Sequence, residues 1–464
     1  MHSACTKLCC GMAKFAPTLV LLVVAPLGGV GAQSSSDSRS TRVDRSADVV
    51  SPVGRTGHAE DGVDAGQEAH LGSGISSRFT GFVEANVFGY GRGVTRADDP
   101  VDAWVTLVAS QELTFGRVRL LGAVQAEQSS AGEHDSWAFD PADRRPRRSP
   151  LSVRHAWVGL PLAPALDLQI GRFQVGWGRT DGFSPAEAFL PRDLSDPFDD
   201  ERLPLWGARL QGERGPVRFE LYHAFLTTPW RLPVMLGRFS PLWYADVFLK
   251  DAEGAPPRRG FDVGRVVVSG DQWDLGVWAR TGIRPAPVLE ALGDLERDPM
   301  VDLIVPLARR FAREDAYGVE AVRGQGEWLV RGEFSYSRSR DPEVGDAVLW
   351  AVGVERAVRS GVAVVTVAGS AIEPPINPLL LFDRAFVPSF VATTTQLEDW
   401  GSWEVTWLAT FRRVGGILQL EASRDLTDVV KVTIGSDLPH GSRTSSPGAI
   451  SRAKRLRAGL RWSW

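Results

Sequence analysis

The C-terminal stretch Arg455-Leu456-Arg457-Ala458-Gly459-Leu460-Arg461-Trp462-Ser463-Trp464 alternates strictly between two kinds of residue. Its even-numbered positions are leucine, alanine or tryptophan, and its odd-numbered positions are arginine, glycine or serine. Successive side chains of a β-strand point to opposite faces of the sheet, so the stretch predicts a strand with one apolar and one polar face. A strand at the surface of a soluble core shows the same alternation, so this segment alone does not decide the fold.

The same two-residue period recurs near residues 118–127, 217–225, 327–337 and 402–412. Each stretch has about 9 to 11 residues, the length with which a tilted strand crosses a membrane. Accepting residues 384–396, which contain Pro388, as a further strand gives about 18 strands. Because a bacterial single-chain barrel has an even number of strands, 16 is the alternative.

The predicted links between strands alternate in length. Short links fall near Gly116, Ala163, Arg214, Gly270, Gln325 and Ser360, and longer ones at 91–100, 129–150, 179–202, 227–258, 283–311 and 340–345. Such alternation is typical of outer-membrane barrels, which have short periplasmic turns and long outer loops. We therefore predict an all-β fold, a closed antiparallel transmembrane β-barrel of about 16 to 18 strands with long extracellular loops.

Composition excludes two other classes of protein. A helical membrane bundle needs repeated apolar runs of about 20 residues, and the only candidate, residues 15–32, is interrupted by Pro17 and Pro26. The formal net charge is -4, and no basic domain is present, so a nucleic-acid partner is not expected. The chain has 16 Trp against 5 Tyr, and membrane interfaces favour tryptophan.

The N-terminal residues predict export and a tether. Lys7 and Lys14 precede an apolar run, and small residues at positions 30–32 resemble a cleavage site, so residues 1–32 are predicted to be a signal peptide. All three cysteines lie within it. Residues 33–76 are rich in Ser, Asp, Arg and Gly and predict a flexible periplasmic segment. Residues 77–464 would form the barrel in the bacterial outer membrane.

Residues 170–210 carry a resemblance to a known group of proteins. They contain Ile170-Gly171-Arg172-Phe173, then Trp177-Gly178-Arg179, and then a loop with prolines and aspartates. This pattern resembles that of uncharacterised porin-like bacterial outer-membrane β-barrel proteins, including groups similar to alginate-export-type barrels. The resemblance implies a channel, and the aromatic C-terminal strand implies recognition by the barrel-assembly machinery.

The loop after Trp177 holds a cluster of charged residues. The candidates for a pore constriction are Arg179, Asp181, Arg192, Asp193, Asp196, Asp199, Asp200 and Glu201. Phe183, Phe189, Leu190 and Phe198 make this loop too apolar to lie freely in water, so we expect it to lie against or within the barrel mouth. A calcium site and a solvated outer loop remain alternatives.

The strand alternation also predicts which charged side chains face the lumen. The candidates are Arg119, Arg154, Arg218, Glu220, Arg331, Glu333, Glu404, Arg412, Glu421, Arg455, Arg457 and Arg461. Opposite charges nearly balance in this set, which predicts a mixed, polar lumen with weak ion preference. Pairing between neighbouring strands, with no role in transport, is the alternative.

We therefore predict a porin-like channel that passes or exports small polar or carbohydrate-like solutes by diffusion. The alternative is a structural or adhesive barrel whose long loops bind partners. An enzyme is disfavoured, because the seven histidines include no pair spaced for a metal and no Gly-x-Ser-x-Gly motif is present, although a hydrolase active at the barrel rim is a further alternative. No cofactor is expected, and the partners would be membrane lipid and small solutes. The oligomeric state is left open.

Overall fold

The structure of the chain is a computed structural model. It describes residues 67–70, 75–91, 100–130, 139–199, 201–233, 238–239, 247–252, 256–291, 296–298, 301–342, 344–358, 361–373, 389–398, 401–410, 414–442 and 445–464. These residues form almost only β-strands, together with one short helix, Ser446–Ala449. Within these ranges no helix is long and apolar enough to cross a membrane.

Twenty-five strands are numbered in chain order over the described residues. They are β1 (Gln67–His70), β2 (Ile75–Tyr90), β3 (Val101–Phe115), β4 (Val118–Ser129), β5 (Leu151–Ala163), β6 (Leu166–Phe173), β7 (Arg192–Asp193), β8 (Glu201–Arg202), β9 (Leu205–Arg214), β10 (Val217–Ala224), β11 (Val247–Ala252), β12 (Phe261–Gly270), β13 (Trp273–Ile283), β14 (Val288–Ala291), β15 (Glu296–Asp298), β16 (Val301–Arg310), β17 (Arg313–Gln325), β18 (Trp328–Ser339), β19 (Asp346–Val358), β20 (Gly361–Glu373), β21 (Ser389–Glu398), β22 (Gly401–Thr410), β23 (Gly415–Thr427), β24 (Val430–Gly441) and β25 (Arg455–Ser463).

One sheet contains 19 of these strands. Its shortest member, β1, pairs with the beginning of β2, and the other 18 (19 less β1) pair antiparallel in the order β2, β3, β4, β5, β6, β9, β10, β12, β13, β17, β18, β19, β20, β21, β22, β23, β24 and β25. The last strand, β25, also pairs with β2, from Phe82 opposite Ser463 to Tyr90 opposite Arg455. The predicted all-β, antiparallel architecture is confirmed, and the segment with Pro388 contributes a strand that begins at Ser389.

The strands are joined by links that alternate in length, as predicted. At one end of the sheet the described links have two residues each, at 116–117, 164–165, 215–216, 271–272, 326–327 and 428–429. Gly116, Gly215 and Gly326 have φ of 59°, 58° and 62°, a conformation that two-residue hairpin turns require and that glycine adopts without strain. The links at the other end are longer and include 130–150, 174–204, 225–260 and 284–312.

Alternation of the side chains gives the ring two different surfaces. On β25, Leu456, Leu460 and Trp462 are 67%, 50% and 52% exposed, whereas Arg455 is 4% exposed. Large apolar side chains on the outer face of other strands are exposed in the same way, for example Leu275 and Val277 on β13. The predicted strand alternation at the C-terminus is therefore confirmed, with an apolar outer face and a polar inner face.

Two regions lie outside the main ring of strands. Among the long links, β11, β14, β15 and β16 form a separate four-stranded sheet. At the N-terminal end, β1 and the first residues of β2 fall within the segment 33–76 that we predicted to be a flexible periplasmic segment. The predicted signal peptide, residues 1–32, lies outside the described residues.

Candidate pore constriction

The link between β6 and β9, residues 174–204, is called the inner loop here; it includes β7 and β8. Because β6 and β9 are paired neighbours, the loop leaves the sheet and returns at one place. Its apolar residues Phe183, Phe189, Leu190 and Phe198 are all buried, none more than 8% exposed. A loop of this length that buries its apolar side chains must pack on another part of the molecule.

The first part of the inner loop packs on the inner face of β10, β12 and β13. The Phe189 ring lies 4.8 Å from that of Trp278 and 6.0 Å from that of Trp177, measured between ring centroids. Trp177 also donates a hydrogen bond from Nε1 to Oε1 of Glu220, over 2.9 Å. These side chains belong to one buried apolar cluster that includes Tyr222 on β10. We call this region the packed side of the interior.

Between Trp177 and Phe189, the inner loop reaches β18, six strands from β6 in the order of the sheet. Here the buried carboxylate of Glu333 accepts hydrogen bonds from loop residues 179–186. Arg331, on the same strand, pairs with Asp181 over 2.5 Å. Arg179 pairs with Glu320 on β17 over 3.2 Å. Two predicted loop candidates therefore contact the opposite wall.

One side chain of the inner loop, Glu187, also connects two parts of the loop. The Glu187 carboxylate accepts hydrogen bonds from the backbone N–H groups of Trp177, over 3.0 Å, and Gly178, over 2.6 Å. The same carboxylate pairs with Arg202 near the end of the loop. Arg192 is more distant from Glu187, at 3.9 Å. The start and the end of the loop are thus tied to one buried acid.

The tip of the inner loop contacts strands on the other side of the ring. Asp196 pairs with Arg455 on β25 over 2.6 Å, and Arg455 pairs with Asp437 on β24 over the same distance. Gln419 on β23 donates a hydrogen bond to the carbonyl oxygen of Phe198. Since the loop contacts the inner face both at β18 and at β23 to β25, it crosses the interior of the ring.

A series of ion pairs between acidic and basic side chains connects the inner loop to the long links 130–150 and 225–260. Arg148 pairs with Glu127 and with Asp193, each over 2.9 Å. Arg231 pairs with Asp193 and also with Asp143. Burial raises the pKa of Asp193, but Arg148 and Arg231 outweigh it, so the pKa of this carboxyl lies below its usual value. Each residue of the series forms an ion pair with the next, in the order Glu127, Arg148, Asp193, Arg231, Asp143 and Arg172.

A cavity that is open to solvent lies beside the tip of the inner loop. We call it the polar cavity. Its charged lining consists of seven acidic and six basic residues: Glu84, Glu127, Asp196, Asp199, Glu201, Glu404, Glu421, Arg148, Arg154, Lys431, Arg455, Arg457 and Arg461. The wall behind it is formed by β2 to β5 and β22 to β25.

The structure brings most of the predicted loop residues together in the interior. Of the eight, Arg179, Asp181, Arg192, Asp193, Asp196 and Glu201 contact charged groups of the wall or the loop, and Asp199 lines the polar cavity. Asp200 lies outside the described residues. Over the described part of the chain, no three His, Cys, Asp or Glu residues are grouped so that they could hold a metal ion.

The predicted lumen-facing residues divide into three groups. Those that contact the inner loop or line the polar cavity are Arg154, Glu220, Arg331, Glu333, Glu404, Glu421, Arg455, Arg457 and Arg461. Arg218 is half-exposed and lies 3.9 Å from Asp274, and Arg119 is exposed near a two-residue turn. Arg412 lies outside the described residues.

Sequence reasoning missed several residues that hold the loop. Glu187, Asp143 and Arg231 were not among the candidates, and Asp437, the partner of Arg455, was also omitted. Glu187, Asp143 and Arg231 lie in the long links, where no alternation indicates the direction of a side chain. The period-two pattern could have identified Asp437, because it has the same phase as Lys431 and Thr433 on β24.

No protein-family model matches this chain, and no curated protein sequence matches it. Similar solved structures include OccK9 (OpdG) of Pseudomonas aeruginosa, 12% identical, covering 84% of this chain and 97% of that chain, with a TM-score of 0.49. A BenF-like porin from Pseudomonas fluorescens Pf-5 is 10% identical, covering 84% and 98%, with a TM-score of 0.49. OccAB4 of Acinetobacter baumannii is 10% identical, covering 84% and 98%, with a TM-score of 0.47. The similarity to alginate-export-type barrels stays a prediction.

Proposed function

We propose that the chain is a porin-like channel of the bacterial outer membrane, a closed barrel of 18 transmembrane strands that passes small polar or carbohydrate-like solutes by diffusion. The observation that carries the proposal is the inner loop beside the polar cavity. The loop fills one side of the interior and reaches Arg455, while a polar, solvent-open space remains next to it. A loop that crosses a barrel interior in this way narrows the passage without closing it.

The pairing of β25 with β2 supports the closed barrel. In hydrocarbon every backbone polar group needs a partner, and a ring of strands leaves no open edge. The exposed apolar outer face of strands such as β13 and β25 would then contact lipid. The short turns would lie in the periplasm and the long links outside the cell.

The lining of the polar cavity supports passage of polar solutes. Acidic and basic side chains are nearly equal in number there, and many of them pair with one another, as Arg457 does with Glu421. A pore with one sign of charge would select counterions strongly. We therefore expect weak ion selectivity and conductance by both anions and cations.

The main experiment combines bilayer conductance with thiol labelling. All cysteines of the chain lie in the predicted signal peptide, so introduced cysteines in the mature protein give a clean signal. Thr433→Cys places a thiol in the polar cavity, and Ala316→Cys places one in the apolar cluster of the packed side. A charged, water-soluble thiol reagent should react at position 433 and lower the single-channel conductance, and it should leave position 316 unmodified.

Two results would contradict the proposal. Folded protein that gives no conductance steps in planar bilayers would remove the channel function altogether. Channels that keep their full conductance after complete labelling at Thr433→Cys would show that the passage lies elsewhere. Reaction yields are measured by mass spectrometry, so failed labelling is separated from labelling without effect.

The proposal also predicts where the protein is found. After export directed by residues 1–32 the protein should fractionate with outer membranes and resist extraction by carbonate, and recovery from the soluble periplasm would contradict this. The C-terminal strand would be the part that the barrel-assembly machinery recognises. Trp464 exchanges backbone hydrogen bonds with Gly81 on β2, over 3.0 and 3.1 Å, so the last residue lies at the seam between the first and last strands of the ring.

A structural or adhesive role is the second candidate. The observation that favours it is the separate sheet of β11, β14, β15 and β16 within the long links, which would form a surface outside the cell. Such a barrel needs no passage. Absence of conductance from folded protein, together with binding by the long links, would favour this role.

A further inference from the structure

The carboxylate of Glu333 has an unusual set of hydrogen-bond donors. Oε1 accepts from the backbone N–H groups of Arg179, over 2.5 Å, and Thr180, over 2.7 Å. The Thr180 hydroxyl lies 3.0 Å from Oε1, but it has a closer acceptor in the carbonyl oxygen of Phe183, at 2.7 Å. Oε2 accepts from the Ser184 hydroxyl, over 2.7 Å, and from the Ala186 N–H, over 2.9 Å. These four donors belong to the inner loop, whereas Glu333 lies on β18.

The side chain of Glu333 is 4% exposed. Burying a carboxylate costs a large free energy unless donors replace the lost water. Hydrogen bonds to an ionised oxygen are stronger than those between neutral groups, and several backbone N–H groups turned toward one point form an anion-binding concavity. Loop residues 179–186 form such a concavity, and the wall provides the anion that fills it.

The direction of these contacts distinguishes Glu333, an acid of the wall, from the aspartates of the inner loop. Asp181, Asp193 and Asp196 belong to the inner loop and pair with arginine side chains. Glu333 instead fixes the backbone of the loop, at residues separated from it by about 150 positions in sequence. A backbone held at three N–H groups has less freedom than one held by a flexible arginine.

We infer that Glu333 is the positioning residue of the inner loop, an anion supplied by the barrel wall to a cradle in residues 179–186. The contacts between Glu333 and the loop do not depend on the proposed function. Only the consequence, that the position of the loop sets the width of the passage, rests on it. The cradle should bind a small carboxylate such as formate when the Glu333 side chain is removed.

The test uses the full mature chain folded in detergent. Glu333→Gln keeps the shape of the side chain but replaces one acceptor oxygen by an amide donor that faces other donors. We expect hydrogen exchange of the amides in residues 179–186 to accelerate at least about tenfold, because local opening controls their exchange. Glu421→Gln is the matched control, since Glu421 pairs with Arg457 on the wall, and it should leave exchange in residues 179–186 unchanged.

A rescue experiment separates the anion cradle from a general structural role. In Glu333→Ala, sodium formate should slow the exchange of residues 179–186 toward the wild-type rate, and sodium chloride at the same concentration should not. Equal effects of formate and chloride, or an exchange rate in Glu333→Gln like that of the wild type, would overturn the inference.

A variant on the loop side covers the case in which changes at Glu333 prevent folding. Ser184→Ala removes one donor and leaves the wall intact, so its loop amides should exchange faster by a smaller factor. An unchanged rate would also overturn the inference. Hydrogen exchange is measured without any transport. If the wild-type protein gave no conductance, the proposed function would be contradicted, but the exchange measurements would still test the role of Glu333.

Discussion

The packed side and the polar cavity are two parts of one interior, and they are filled in opposite ways. On the packed side the inward residues of the strands include an apolar cluster with Tyr222, Val263 and Trp278, and the inner loop covers it. Around the polar cavity the inward residues are mainly charged or hydroxylated, as Glu421 and Thr433 are. The outer face is apolar on both sides.

The difference shows what determines the course of the inner loop. Phe189 buries its surface in the apolar cluster of the packed side, and such burial provides most of the driving force for packing. At the tip, Phe198 is buried beside Leu408 and Ile417. On the other side the loop presents Asp196 and Asp199, which need cations or water. The chemistry of the inner face thus directs the loop to one wall and keeps the space beside the other wall open.

The largest expected effect comes from removing the loop that separates the two sides. Deleting Ser184 to Phe198 while keeping β6 and β9 should raise the single-channel conductance severalfold and admit larger solutes, because the packed side would become part of the passage. Heat-modifiability on gels would verify that the variant is folded. If the folded deletion variant conducts like the wild type, the loop does not constrict the passage and the contrast between the two sides has no functional meaning.

A pair of tryptophan substitutions compares the stability of the two sides. Trp177 is 2% exposed in the packed side and donates to Glu220, so Trp177→Ala should lower the free energy of unfolding by about 3–5 kcal/mol. Trp104 faces the polar cavity and is only half-buried, so Trp104→Ala should cost clearly less. Denaturant titration in detergent or lipid measures both values. Equal costs would show that the two sides are packed alike.

A third pair compares the inner face with the outer face on one strand. Leu460 is 50% exposed on the outside of β25, so Leu460→Arg should cost about 2–4 kcal/mol if the face contacts hydrocarbon. Arg461 points inward, over the ring of Phe82 at 3.7 Å, and Arg461→Leu should cost much less. Unfolding in lipid vesicles measures the difference. Similar costs for both variants would contradict the assignment of the lipid face.

The sequence predicted the strands well because their signal is local. Alternation at 455–464 and two-residue links such as 215–216 need only neighbouring residues, and both are found in the structure. The first strand has no such local signal, since β1 has little apolar alternation and pairs through its backbone with β2.

The candidate site was predicted only in part, for a physical reason. The acidic and aromatic residues of the inner loop predicted that the loop packs on another part of the molecule. They did not indicate which strands it contacts. The partners Glu333 and Arg455 are separated from their loop contacts by about 150 and 259 positions. Such contacts depend on which strands are neighbours in the sheet, and no local pattern in the sequence specifies that order.

The smallest expected effect concerns pH at the boundary between the two sides. The pKa of Asp193 is raised by burial but lowered more by Arg148 and Arg231, so it lies below the ordinary value of 3.8. A carboxyl whose folded pKa is depressed stabilises the folded form above its ordinary pKa and loses that contribution as the pH falls through the folded value. The inner loop should therefore loosen progressively below about pH 4, which would be measured as faster hydrogen exchange around residue 193 and noisier channel currents.

The control variant is Asp193→Asn. Its inner loop should be looser than that of the wild type at pH 7 and should show a weaker additional change in acid, because the titrating group is gone. An acid response as large in Asp193→Asn as in the wild type would assign it to another group, such as Asp196, whose burial raises its pKa despite the proximity of Arg455.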